Sequence, residues 1–166
     1  NTKLPEALVK QIPTIRLVST CGVGYDNLPL DYLKQQGIKA SNTPGVLNDA
    51  VCELAIGMML GLLRRIPESQ DFLKSGLWSK GLFPLTTTLA GKRVGIVGMG
   101  RIGQDLAKRL EPFKVEIAYS GPNPKSVPYT YYQDVRELAA VSDVLFLACP
   151  ATPATDKMIN ANVLEA

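Results

Sequence analysis

The stretch Arg93-Val-Gly-Ile-Val-Gly98-Met-Gly100-Arg-Ile-Gly103 constrains this chain more than any other. Residues 94–97 read as a buried strand, and Gln104-Asp-Leu-Ala-Lys-Arg-Leu110 has the apolar spacing of a helix. Between them Gly98, Gly100 and Gly103 keep the spacing G-x-G-x-x-G. The first glycine permits a tight turn out of the strand, and the second lets a phosphate approach bare backbone. The third lets the helix pack close to the strand. A helix opening at Arg101 also offers unpaired N–H groups and the positive end of its dipole. Glycine turns that bind nothing share this spacing. It is the strand before and the helix after that make this one a dinucleotide cradle.

The rest of the chain alternates strand and helix, which argues for parallel α/β sheets. Helices are expected over 4–12, 30–36, 134–141 and 156–166, and strands over 14–19, 38–40, 114–119 and 143–148, the last buried. Gly37 is placed as a left-handed C-cap. A long helix begins near Asn48 or Asp49, either of which supplies an N-cap oxygen, with Glu53 as negative charge in its first turn. Its middle, Leu54-Ala-Ile-Gly-Met-Met-Leu-Gly-Leu-Leu63, is apolar on nearly every side, so it is expected to be buried between layers or subunits. Arg64 and Arg65 suit its C-terminal end, and Pro67 checks its continuation. Residues 75–88 show no period and read as an ordered excursion, with Trp78 as a packing anchor.

Composition narrows the function. Hydrophobic residues make up 46% and charged residues 20% of 166, as in a globular protein that buries a core. The net charge of +3 comes from interleaved acids and bases, with no basic run that would suit nucleic acid. The ten-residue apolar run is too short to span a bilayer. Cys21, Cys52 and Cys149 form no C-x-x-C pair, which favours reduced thiols in the cytoplasm over disulfides or zinc. With no histidine, the commonest general base and metal ligand are both missing, and no metal is expected.

Around the cradle, each candidate carries a plain reading beside the functional one. The second strand of a nucleotide-binding unit ends in an acid about twenty residues past the first glycine. Here that place is Tyr119-Ser120-Gly121, without an acid. Ser120, Asn123 and Lys125 offer donors and charge to a 2′-phosphate, which favours NADP and leaves NAD possible. The plain alternative is a proline-stiffened turn with a solvated lysine. Gly22-Val23-Gly24 is either an anion nest for a carboxylate or an unliganded turn. Cys149 and Pro150 close the strand over 143–148, at the edge where open α/β sheets bind ligands. Asp26 and Glu53 suit a turn and a helix start better than an acid–base pair.

Taken together, these residues resemble the D-isomer-specific 2-hydroxyacid dehydrogenases, and within them the glyoxylate/hydroxypyruvate and hydroxyphenylpyruvate reductase branch. The likeness runs through Val18-Ser-Thr-Cys-Gly-Val-Gly-Tyr-Asp26, Asn42-Thr-Pro-Gly-Val-Leu47, Leu62-Leu-Arg-Arg65 with Gly76-Leu-Trp78, residues 91–103, and Ala148-Cys-Pro-Ala-Thr-Pro-Ala-Thr155. The resemblance implies two doubly wound parallel sheets: a Rossmann-type cofactor domain and part of a flavodoxin-like substrate domain. Residues 1–47 would be the end of the substrate domain. Residues 48–166 would be the hinge helix and first part of the cofactor domain.

It further implies reduction of a small 2-oxoacid to a D-2-hydroxyacid in a homodimer. The amides of Val23 and Gly24 would hold the substrate carboxylate, and Gly100, Arg101 and Ile102 the pyrophosphate. Ser120 falls where the 2′-phosphate loop begins, and Cys149, Pro150 and Thr155 would border the adenosine side. NADP-using relatives place an arginine where this chain has Gly121. The family's catalytic arginine, glutamate and histidine lie past the Cys149 loop, so the chain reads as an internal fragment without catalytic residues. A nucleotide-sensing regulator on the same fold, or an adenosylhomocysteine-hydrolase-like enzyme, is the alternative.

Overall fold

The computed structural model describes residues 2–166, which divide into two compact units, 2–47 and Asn48–Ala166. In the first, the helices α1 (Glu6–Lys10) and α2 (Leu30–Gln35) accompany the parallel strands β1 (Leu17–Ser19) and β2 (Lys39–Ser41). Gly37 closes α2 at φ +66°. Its amide bonds the Lys34 carbonyl and the Ile38 amide bonds that of Leu33, so the turn satisfies two orphan acceptors. Val9 and Leu33 are the buried apolar residues here.

The second unit opens with α3 (Asn48–Leu63) and α4 (Ile66–Lys74), followed by the 3₁₀ turn Leu77–Ser79. Then come β3 (Arg93–Val97), α5 (Arg101–Leu110), β4 (Glu116–Ser120), β5 (Thr130–Tyr132), α6 (Val135–Ala140), β6 (Val144–Leu147) and α7 (Ala161–Leu164). The four strands are parallel in the order β5-β4-β3-β6. The chain steps outward from β3 to β5 and then crosses back to β6. Right-handed crossovers put α5 and α6 on opposite faces for that reason. Two neighbouring residues record it. A Cβ on Gly95 would meet Leu138 of α6, while Ile96 lies against Gly103 of α5. The buried core gathers Val94, Ile96, Leu106, Leu110, Tyr119 and, from α3, Met59.

Several local expectations need correction. Neither Asn48 nor Asp49 caps α3, because the helix already includes them. Asn48 Nδ2 donates instead to Asp105 Oδ2 at 3.0 Å, and Asp49 pairs with Arg109 of α5. The first-turn acid is Asp49, and Glu53 is an exposed residue further along. Within the chain α3 is covered on one face, at Cys52 and Met59, while Leu62 is 77% exposed, so of the two expected covers this chain's own layers supply only part. Burial pushes the Cys52 thiol pKa up. Helix α3 does stop short of Pro67, at Leu63, with Arg65 left-handed at φ 50°, and Pro67 then sits in the first turn of α4, where a missing N–H costs nothing. Trp78 is 61% exposed and outside the buried core among the described residues, so it is not the packing anchor expected of it there. Strand β6 is only partly covered, and the last helix shrinks to α7, capped by Asn160 accepting from Val163 N. Strand β5 was unforeseen.

One titration follows from the β4–β5 connection. Burial and a 2.7 Å hydrogen bond to Glu111 push the Tyr129 phenol up to about 12. The folded form holds this proton more tightly than the unfolded one. Its stabilising effect is therefore complete below the ordinary phenol pKa of about 10 and is lost as pH rises towards the folded value. Ultraviolet titration should show a late phenol step that Tyr129→Phe abolishes.

Candidate functional site

Strand register builds the site. Val97 of β3 is level with Ser120 of β4 and Leu147 of β6, and Ser120 is level with Tyr132 of β5. The segments after all four strands therefore leave the sheet at one edge, where the strand order reverses. Open α/β sheets bind ligands at such an edge. They enclose a cavity of about 930 Å³.

The cradle's glycines act there by different means. Gly98 has φ +101°, and a Cβ on it would come within 2.6 Å of the Cys149 amide nitrogen and 2.8 Å of the Ala148 carbonyl carbon. The turn thus presses on the β6 loop. A Cβ on Gly103 would overlap the Gly98 carbonyl oxygen, so helix and turn touch backbone to backbone. Gly100 differs, because an added Cβ would meet nothing within 4 Å and the residue lines the cavity. Its carbonyl receives the Gln104 amide at 2.9 Å, and no side chain caps the helix. The first amides of α5 keep the free donors that an anion requires.

Of the candidate cofactor residues, Gly98, Gly100, Ser120, Asn123, Lys125, Cys149, Pro150 and Thr155 line this cavity together. Arg101, Ile102 and Gly103 are outside its lining; they form the first turn of α5, whose amides follow directly on Gly100, and Gly103 is buried. Ser120 is 4% exposed, and its carbonyl accepts the Gly98 amide at 2.8 Å, tying the second strand's end to the turn. Thr155 Oγ1 donates to the Pro150 carbonyl at 2.7 Å and accepts the Thr152 amide at 2.8 Å, which closes the wall as a loop. Sequence reasoning missed Gln133, Asp134 and Glu137, which also line it. Their signal was β5, whose end is level with Ser120. Asp134 caps α6, its Oδ1 accepting the Arg136 amide at 2.8 Å. Lys125 is the cation of a lining that also holds the carboxylates of Asp134 and Glu137, which tempers the cavity's pull on an anion. No group of three or more metal-ligating acids or thiols occurs among the described residues. None of their helices is long and apolar enough to cross a membrane.

Val23 and Gly24 belong to the first unit. The Gly22 carbonyl accepts the Thr43 amide at 3.0 Å, and the Val23 carbonyl accepts Asn42 Nδ2 at 2.8 Å. A trans peptide holds its N–H opposite its C=O, so both amides that follow point away from residues 42–43. Neither donates to a backbone acceptor among the described residues. They do not line the hollow of about 250 Å³ formed by Tyr25, Leu28 and Asn42 in the same unit. Asp26 lies beside its own loop, 3.8 Å from where a Gly24 Cβ would stand.

Comparison with known proteins agrees with this architecture. The family described as D-isomer specific 2-hydroxyacid dehydrogenase, NAD binding domain, matches residues 56–166. Hydroxyphenylpyruvate reductase of Plectranthus scutellarioides is 45% identical over all of this chain, and human glyoxylate reductase/hydroxypyruvate reductase is 39% identical over 91% of it. The matches take in 53% and 48% of those relatives, so the chain spans about half the length of the curated relatives it matches. Among solved structures, the NADPH-dependent glyoxylate/hydroxypyruvate reductase of Sinorhizobium meliloti, in complex with NADP and malonate, superposes with a TM-score of 0.88 at 39% identity. That match covers 98% of this chain and 52% of the other. A 2-hydroxyacid dehydrogenase from Ketogulonicigenium vulgare gives 0.91 at 38% identity, with the same coverage. A mixed α/β fold of parallel sheets, a glycine cradle at the strand switch and a family match over residues 56–166 together establish that the chain belongs to the D-isomer-specific 2-hydroxyacid dehydrogenases.

Proposed function

We propose that the full-length protein carrying this chain reduces a small 2-oxoacid of the glyoxylate or hydroxypyruvate type to a D-2-hydroxyacid, using a nicotinamide cofactor. The observation that carries this reading is the cavity at the switch point, bounded by the glycine cradle on one side and the β4 loop on the other. The reductase names borne by relatives at 39–45% identity support it. The residues fit a dinucleotide, since open space at Gly100 and the uncapped start of α5 accommodate a pyrophosphate.

In this reading residues 48–166 are the hinge helix and first part of the cofactor domain, and residues 1–47 the end of the substrate domain. Gly100, Arg101 and Ile102 hold the pyrophosphate through backbone amides, while Gly98 and Gly103 shape the turn. Cys149, Pro150 and Thr155 wall the adenosine side. The amides of Val23 and Gly24 hold the substrate carboxylate. A bound nicotinamide supplies the hydride. None of these 166 residues is given a catalytic role. Steady-state reduction of glyoxylate and hydroxypyruvate by the full-length protein tests the reading, and absence of turnover with either cofactor would sink it.

NADP is the favoured cofactor. Ser120, Asn123 and Lys125 meet the 2′-phosphate, with no acid at the end of β4 to repel it. Without a guanidinium at Gly121, and with Asp134 and Glu137 around the same cavity, discrimination is modest. NADPH should be preferred by about 1–2 kcal/mol in kcat/KM, the scale of one charge-assisted hydrogen bond. Gly121→Arg should widen that margin and Lys125→Ala narrow it. A preference for NADH, or an unmoved ratio in Gly121→Arg, counts against the assignment.

The protein is also proposed to be a cytoplasmic homodimer joined through this unit. Met58 and Leu62 on α3, with Leu82 and Leu85 on the following segment, form exposed apolar surface that a second copy would cover. Sedimentation at micromolar concentration should show dimer, and monomer alone would refute it. The exposed thiol of Cys21 suits a reducing compartment.

A further inference from the structure

Strands β4 and β5 run side by side with Tyr119 level with Tyr131. Level residues of a parallel pair project from the same face, so register alone brings the two phenols together. Their ring centroids are 5.3 Å apart, tilted by 49°. Both hydroxyls end on backbone of the loop after β4. Tyr119 Oη accepts the Lys125 amide at 2.7 Å and donates to the Lys125 carbonyl at 3.3 Å. Tyr131 Oη donates to the Gly121 carbonyl at 2.9 Å. The loop is therefore tethered at both ends, while Asn123 and Lys125 line the cavity. It has few other means of holding its shape. Pro122 and Pro124 have no N–H to donate, and Gly121 has no Cβ to restrain it.

We propose that Tyr119 and Tyr131 are positioning residues for an adenosine 2′-phosphate, setting the course of the 121–125 loop and hence where Asn123 and Lys125 stand. A lysine is a flexible point charge, so its discrimination depends on backbone ordered before the ligand arrives. The tethers provide that order from outside the cavity, since neither Tyr119 nor Tyr131 is in its lining. This inference rests on the cofactor reading given above.

The test uses the full-length protein with 2′,5′-ADP and 5′-AMP as calorimetric probes, which differ in the 2′-phosphate. Tyr119→Phe and Tyr131→Phe should each weaken 2′,5′-ADP about fivefold, the scale of one lost hydrogen bond, and leave 5′-AMP within about twofold. The turnover number with saturating NADPH should stay unchanged. In a Lys125→Ala background, Tyr119→Phe should have a smaller effect on 2′,5′-ADP, because the group it positions is gone. Equal weakening of both probes would mark the phenols as merely structural and overturn the proposal, as would no change in 2′,5′-ADP. Should Tyr119→Phe fold poorly, Tyr131→Phe decides alone, since Tyr131 is only partly buried. If the unaltered protein binds neither probe, NADPH nor NADH, the cofactor reading falls and this assignment with it.

Discussion

Gly103→Ala is expected to destabilise the cofactor-binding unit by about 3 kcal/mol and to abolish measurable dinucleotide binding, the upper part of the range for overpacking a close contact. The added Cβ would overlap the Gly98 carbonyl oxygen and stand 3.1 Å from its carbon and 3.4 Å from Ile96 Cγ2. Two of those atoms are backbone, so no side-chain rotation relieves the contact. Either α5 lifts from the sheet or the Gly98 turn moves, and that turn already sits at φ +101° against the Cys149 amide. Gly100→Ala is the informative partner. Its Cβ meets nothing within 4 Å, so stability should change by no more than about 1 kcal/mol, the cost of an altered N-cap. Dinucleotide affinity should nevertheless fall, because the methyl occupies space facing the cavity. Denaturant midpoints with nucleotide titrations separate the two effects. Wild-type stability in Gly103→Ala would contradict this account of the turn.

The other large effect is expected from the core beneath the cradle. Leu110 ends α5 with no exposed surface and packs in the cluster that holds Ile96, Leu106 and Tyr119. Leu110→Ala removes buried methyl groups and leaves a cavity that close-packed neighbours fill only partly. The expected loss is about 3 kcal/mol, within the usual range for such truncations. Leu85→Ala provides the contrast, since Leu85 is 100% exposed. It should leave the unit's own stability within about 0.5 kcal/mol, as most surface changes do. Its effect should appear in the concentration dependence of the dimer. Equal destabilisation by both substitutions in monomer would mean that Leu85 is covered within its own chain.

What the sequence by itself determined was local. The glycine spacing between an apolar run and an amphipathic run specified a strand, a turn and a helix, because each signal is complete within a few residues. The same holds for Gly37, whose positive φ ends α2. The succession of such elements implied parallel sheets, since short connections and right-handed crossovers leave few other arrangements. Tertiary structure decided what depends on partners distant in the chain. Helix α3 is apolar around most of its circumference, so its pattern had no direction, and packing against α5 chose the face with Cys52 and Met59. Strand β5 is three residues long, too short for a period, and exists because β4 offers it a ladder. Its register brings Gln133 and Asp134 to the cavity and sets Tyr131 beside Tyr119. No spacing in the chain announces that pairing: the residues lie on separate strands, and only the sheet's order makes them neighbours.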